Sequence, residues 1–194
     1  MKVTAEVAEK ITDMLAGRGI IPEEDAALYR YGIENGITVA GSLFASLLFG
    51  LVTGRLGNIL VFLFFYGSLR SFSGGMHCKS RAGCFAASIF ILIIPAYLCD
   101  WAVGLPLVAV IIGGFTAMVV ILVLSPVESV NKPLNDEDFA YYRRISRCIA
   151  GWQACTLVTL YCLDWLDYFY AGYSSLVLVA VFLIAGKIST KYYT

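Results

Sequence analysis

The chain has 194 residues, with 14 basic and 14 acidic side chains and a formal net charge of zero. That balance leaves no basic face of the kind nucleic-acid binding requires. Only 14% of residues are charged and 59% are hydrophobic, with a mean hydropathy of +0.78. Soluble domains carry about 25% charged residues, and long uncharged runs are the pattern of a membrane-embedded chain.

In chain order, Val3, Val7, Ile11, Met14 and Leu15 fall at helical spacing opposite a set of charges, which predicts an amphipathic helix over 2–16 that stops at Gly17-Arg18-Gly19. The first twenty residues are polar and mixed in charge, without the apolar core or cleavage signal expected of a signal peptide. Pro22 followed by Glu23, Glu24 and Asp25 marks a second helix start. That helix leads into the first uncharged run, Ile37–Gly54, with Gly32, Gly36 and Ala40 on one face and Gly50 and Gly54 likewise spaced for close helix approach. Further apolar runs cover Leu56–Leu69, Ala82–Cys99, Trp101–Val127 with a break at Gly104-Leu105-Pro106, Cys148–Leu163 and Tyr168–Gly186. The second is short for a helix that needs about 20 residues to cross, and is completed only by taking in Arg70 and its followers.

The expected fold is therefore an all-α integral membrane protein of about six transmembrane helices plus the N-terminal amphipathic helix, forming one domain over 1–194. Lys and Arg gather in the N-terminal segment, in the second and fourth connections and in the tail, whereas Arg55 is the sole base in the first, third and fifth connections. By the positive-inside rule both termini and the second connection face the cytoplasm. Between spans four and five, Pro126 and Pro133 stop helices, and Asn135 is placed to cap a helix opening Asp136-Glu137-Asp138. The cysteines lie mostly in or beside apolar runs. Cys148, Cys155 and Cys162 recur every seven residues, which reads as small residues lining a helix contact rather than as thiol chemistry.

The stretch Arg70–Cys84 stands apart. It holds the only histidine, His77, with Gly74-Gly75, Cys78 and Cys84, and an ionisable group at membrane depth is a functional hypothesis by default. A cysteine thiolate attacks carbonyls, and an imidazole takes its proton and returns it to the leaving amine. On a continuous helix His77 and Cys84 would lie about 10.5 Å apart along the axis, so a dyad requires the chain to fold back between them. Gly74, Gly75 and Gly83 supply that freedom. Cys78 is a rival nucleophile, and His77, Cys78 and Cys84 fall one short of the four ligands of a structural zinc site. No metal or cofactor is expected.

The pattern Arg70-x-x-x-Gly74-Gly75-x-His77 followed by Cys84, placed after the second span of a six-span chain, resembles the accessory gene regulator B (AgrB) peptidases of bacterial quorum sensing. Ser125-Pro126-Val127-Glu128 and Asn131-Lys132-Pro133 resemble the family's proline-bearing loop. The resemblance implies a cysteine endopeptidase in the bacterial cell membrane, in which Cys84 is the nucleophile and His77 the base and then acid. Its partner would be an AgrD-like precursor peptide, cut ahead of an acidic tail and closed to a thiolactone by the precursor's own cysteine. It also implies a homodimer among membrane lipids. Arg70, Gly74 and Gly75 are candidates for positioning or oxyanion support, and Lys132, Arg143, Arg144 and Arg147 for holding the tail. The competing expectation is a non-catalytic membrane transporter or scaffold for a peptide. It predicts charged residues inside spans and repeated half-structures, neither of which the sequence displays.

Overall fold

A computed structural model describes residues 2–75, 81–102, 105–127 and 135–192, with the backbone alone for 2–3, 81–90, 99 and 190–192. Seven α-helices account for nearly all of it: α1 (Lys2–Gly17), α2 (Ala26–Val52), α3 (Leu56–Ser73), α4 (Arg81–Ala102), α5 (Leu107–Leu124), α6 (Asp136–Cys162) and α7 (Leu166–Tyr192). A 3-10 turn, Glu23–Asp25, opens onto α2 after Pro22, as the proline and acids predict. Each expected apolar run lies on a helix. α3 takes in Arg70–Ser73 to reach 18 residues, and α6 begins at the Asn135 cap, whose side chain accepts the Asp138 N–H at 2.7 Å.

Among the described residues four stretches are long and apolar enough to cross a membrane: Glu23–Val52, Leu56–Ser73, Leu107–Leu124 and Leu166–Ser189. α6 has the length, but six charged residues occupy its first twelve positions, which dilutes its apolar character. The chain divides into two compact units, Met1–Phe49 with Cys78–Phe90, and Gly50–His77 with Ile91–Thr194.

In the first unit, an exposed Arg30–Glu9 ion pair at 3.0 Å links α2 to α1. The buried side chains of α1 include Ala8 and Thr12, while Val7 and Met14, expected on the apolar face, stay half-exposed. Along α2, Thr38, Ser42 and Ser46 each donate a hydroxyl to the carbonyl four residues back, at 2.9, 3.0 and 2.7 Å. This satisfies polar groups inside an apolar helix without a partner helix. The small-residue face at Gly32 and Gly36 has no described atom within 4 Å of a Cβ built there.

The second unit is organised on α7, whose most apolar window is 56% buried, against 33% for α3 and 17% for α5. It packs on α3, α5 and α6 through Leu176, Val179 and Leu183. Close approach is achieved at Gly50, as its spacing predicts, where a Cβ would lie 3.0 Å from Leu56 Cα and 3.3 Å from Ile59, and at glycines the sequence did not single out. The Tyr168 ring occupies the space beside Gly57, Tyr173 that beside Gly113 and Gly114, and Phe65 with Leu157 that beside Gly172. Small residues let helices meet where lipid offers no hydrophobic drive between them. The outward face of α5 is apolar, with Phe115 70% exposed and Ile111, Ile112 and Val123 similarly bare. Inside sit Gln153, Ser174 and Ser175. That inversion suits a lipid surround, where the buried polar groups must find partners within the protein. The amide nitrogen of Gln153 does so, donating from Nε2 to the Phe65 carbonyl at 2.8 Å and to Ser68 Oγ at 3.1 Å, which links α6 to α3. At the start of α3, Arg55 pairs with Asp100 at 2.7 Å and Asp167 at 3.7 Å and lies 5.8 Å over the Tyr97 ring.

Candidate functional site

α3 delivers the Arg70–Gly75 stretch, and its last turn fixes the geometry. The helix closes with the Gly74 N–H donating to the Arg70 carbonyl at 3.3 Å. Gly74 has φ +67 and Gly75 φ +114, conformations that glycine adopts without the cost a Cβ imposes. Both glycines are also pressed by neighbours. A Cβ on Gly74 would strike the Val127 carbonyl oxygen, and one on Gly75 would strike Arg70 Nη1 and come within 3.0 Å of the Phe182 carbonyl oxygen. Arg70 is half-buried, with its guanidinium 5.5 Å over the Phe182 ring. The cation is thus held on α7, within the bundle.

The partner of Gly74 is the segment after α5. Gly74 and Val127 form an isolated parallel β-bridge, in which the Val127 N–H donates to the Ser73 carbonyl at 2.9 Å and the Gly75 N–H to the Val127 carbonyl at 3.4 Å. Both glycine N–H groups are therefore spent inside the chain. Ser73 and Val127 are buried, so water does not compete for these bonds. The Val127 segment is tied in turn to α6: Ser125 Oγ donates to Ser146 Oγ at 2.7 Å, and Ser146 Oγ to the Arg143 carbonyl at 3.1 Å. Phe72 meets the Tyr142 ring at 5.9 Å, a second contact between the end of α3 and α6.

The basic residues of α6 divide by role. Arg147 donates from Nε and Nη2 to the Leu122 carbonyl, at 3.3 and 2.9 Å, satisfying a carbonyl in the last turn of α5. Arg143 and Arg144 are exposed and make no ion pair among the described residues. Lys132 lies outside the described residues, as do His77 and Cys78, and Cys84 is described only as a backbone position in the first turn of α4. The structure accordingly brings together Arg70, Gly74 and Gly75, and leaves the His77–Cys84 geometry outside what is described. Cys148, Cys155 and Cys162 are all exposed, so no described helix covers the stripe they form.

Sequence reading named Ser125 only as part of the proline-bearing loop and did not single out Ser146 or Gln153, and all three are buried. A polar residue at helical spacing within an apolar run is the signal that finds Gln153. It also missed Glu34, the one charged side chain that is buried among the described residues. Glu34 heads the i+4 series continued by Thr38, Ser42 and Ser46, a polar stripe legible once α2 is extended back to Ala26.

The chain matches the family described as AgrB, accessory gene regulator B, over residues 8–185. No curated protein matches the chain, and no solved structure does.

Proposed function

This chain belongs to the accessory gene regulator B family, whose members take part in processing quorum-sensing peptides, and on that premise we propose that it is a membrane cysteine endopeptidase with His77 and Cys84 as its catalytic pair. The observation that carries the reading is the family match over 8–185 on a chain whose only histidine stands seven residues before Cys84. The cradle around Gly74 and Gly75 supports it, because a rigid mount immediately before the reactive segment is what nucleophilic catalysis needs. In this reading the six-span arrangement has both termini and the His77 segment on the cytoplasmic side. The peptidase is a single domain and works as a homodimer among membrane lipids.

The chemistry proceeds in two transfers. The Cys84 thiolate attacks the carbonyl joining the signal segment of an AgrD-type precursor to its acidic tail. His77, having taken the thiol proton, returns it to the departing amine, and a thioester on Cys84 remains. The precursor's own cysteine then attacks that thioester as a thiolate, expels Cys84 as a thiolate and closes the thiolactone. Ring closure must outpace hydrolysis, which favours a site that excludes water. Since the N–H groups of Gly74 and Gly75 are already engaged, those residues serve to position the segment, and the backbone around Cys84 is the remaining oxyanion donor.

The test is processing of an AgrD-type precursor, with the chain in liposomes. Mass spectrometry then follows the released tail and an acyl adduct on Cys84. A precursor that binds and crosses uncut identifies a transporter, and one that binds and stays uncut a scaffold. Either result sinks the peptidase reading. Tail recognition is tested separately. With Arg147 committed to Leu122, Arg143 and Arg144 are the described cations open to an acidic tail. Reversing both to Glu should weaken precursor binding about ten-fold or more at low salt and less at high salt. Unchanged affinity would remove them from the binding site.

A further inference from the structure

We infer that Ser125 and Ser146 are positioning residues for the reaction, acting through the Val127 backbone on the segment that begins at Gly75. The inference rests on the peptidase reading above and adds a device on α5 and α6 that has no chemistry of its own.

The argument follows the bonds outward from the reactive segment. Gly75 stands two residues before His77 in the chain, and its N–H is held by the Val127 carbonyl at 3.4 Å. Ser73, on the other side of Gly74, is held by the Val127 N–H at 2.9 Å. One residue therefore grips the chain on both sides of a glycine at φ +67, whose missing Cβ leaves room for that grip. Val127 lies three residues beyond the end of α5, and what anchors it is the buried hydroxyl pair. Ser125 and Ser146 are 1% and 0% exposed and their oxygens are 2.7 Å apart. Ser146 is in turn fixed to its own helix through the Arg143 carbonyl at 3.1 Å.

A hydroxyl that capped its own helix would bond four residues back, as Thr156 does to the Trp152 carbonyl. Ser125 instead donates across to another element, at a buried site where an unmade bond is costly. The link runs Ser146, Ser125, Val127, then Ser73 and Gly75, and every element in it belongs to the second unit. Its purpose is to set where the backbone emerging from α3 points. A displacement of about 1 Å in a reactive group is worth up to 10²-fold in rate.

The test compares Ser125→Ala, Ser146→Ala and the double variant, with Thr156→Ala as a control hydroxyl that bonds only within α6. The full-length chain in liposomes is given the AgrD-type precursor, and kcat, KM and the thermal unfolding midpoint are measured. Ser146→Ala should lower kcat about ten-fold at a temperature well below its unfolding midpoint, with KM near wild type, a loss larger than the destabilisation from the unpaired Ser125 hydroxyl accounts for. The double variant should be no slower than the single one, because the two hydroxyls act as a unit. Thr156→Ala should behave as wild type. Wild-type kcat in the serine variants would overturn the inference, as would a loss that merely follows the unfolded fraction. Absence of processing by the wild-type chain would instead overturn the peptidase reading, so the two failures are distinguishable.

Discussion

Cys84→Ala is expected to abolish release of the acidic tail, by roughly 10⁴-fold or more, since removing a nucleophile leaves only binding and electrostatic stabilisation behind. His77→Ala should cost about 10²–10⁴-fold, the range of a lost general base. Cys78→Ala should process the precursor normally, which separates the two thiols of the segment. Precursor binding should survive in all three variants, because none removes the cations of α6 or the cradle below Gly75. The measurement is the initial rate of tail release by mass spectrometry, with binding followed separately. Cleavage that persists in Cys84→Ala would discard the assignment of the nucleophile.

Gly75→Ala should be the most damaging change outside the proposed dyad. The new Cβ meets Arg70 Nη1 and lies 3.0 Å from the Phe182 carbonyl oxygen, on a residue at φ +114. The arginine end can swing aside, but the α7 backbone cannot. Such strain is worth about 1–3 kcal/mol, and relief by moving the loop should lower processing about 10²-fold. Gly36→Ala makes the natural control: it lies within α2 with open space around it, and alanine there should leave both rate and stability unimpaired. Rates and thermal midpoints of the two variants decide the matter. A Gly75→Ala protein that turns over at the wild-type rate would show that the cradle does not hold the segment.

Composition and periodicity made most of the helices legible, because in a membrane chain the apolar runs and the punctuating Pro, Gly and Asn residues carry the same information. Asn135 illustrates this: its position before three acids announced a cap, and its side chain takes the Asp138 N–H. Helix contacts were harder to read. Small residues at helical spacing pointed to Gly50, which meets Leu56 and Ile59, but also to Gly32 and Gly36, which lie open among the described residues, while Gly57, Gly113 and Gly172 receive aromatic rings. Spacing says that a face is smooth but not which large residue of another helix will enter it. The mount at the end of α3 was hidden for a related reason. Ser125 and Ser146 are 21 residues apart and meet across two elements, and Val127 contributes only its backbone, so neither leaves a local pattern. Arg147 shows the limit of charge counting. Its sequence context matched Arg143 and Arg144, yet it is fastened to a helix end.

The two ends of α3 are held by different kinds of force. At Arg55 the bonds are ion pairs to Asp100 and Asp167, whose carboxylates are about half-exposed, and mobile ions screen such pairs over a Debye length of about 8 Å at physiological salt. At Gly74 the bonds are between backbone groups of buried residues, which ions do not reach. Ionic strength thus acts on α3 as on a rod clamped at one end and tethered at the other. The tether slackens in brine, while the clamp at the Gly74 end keeps its grip.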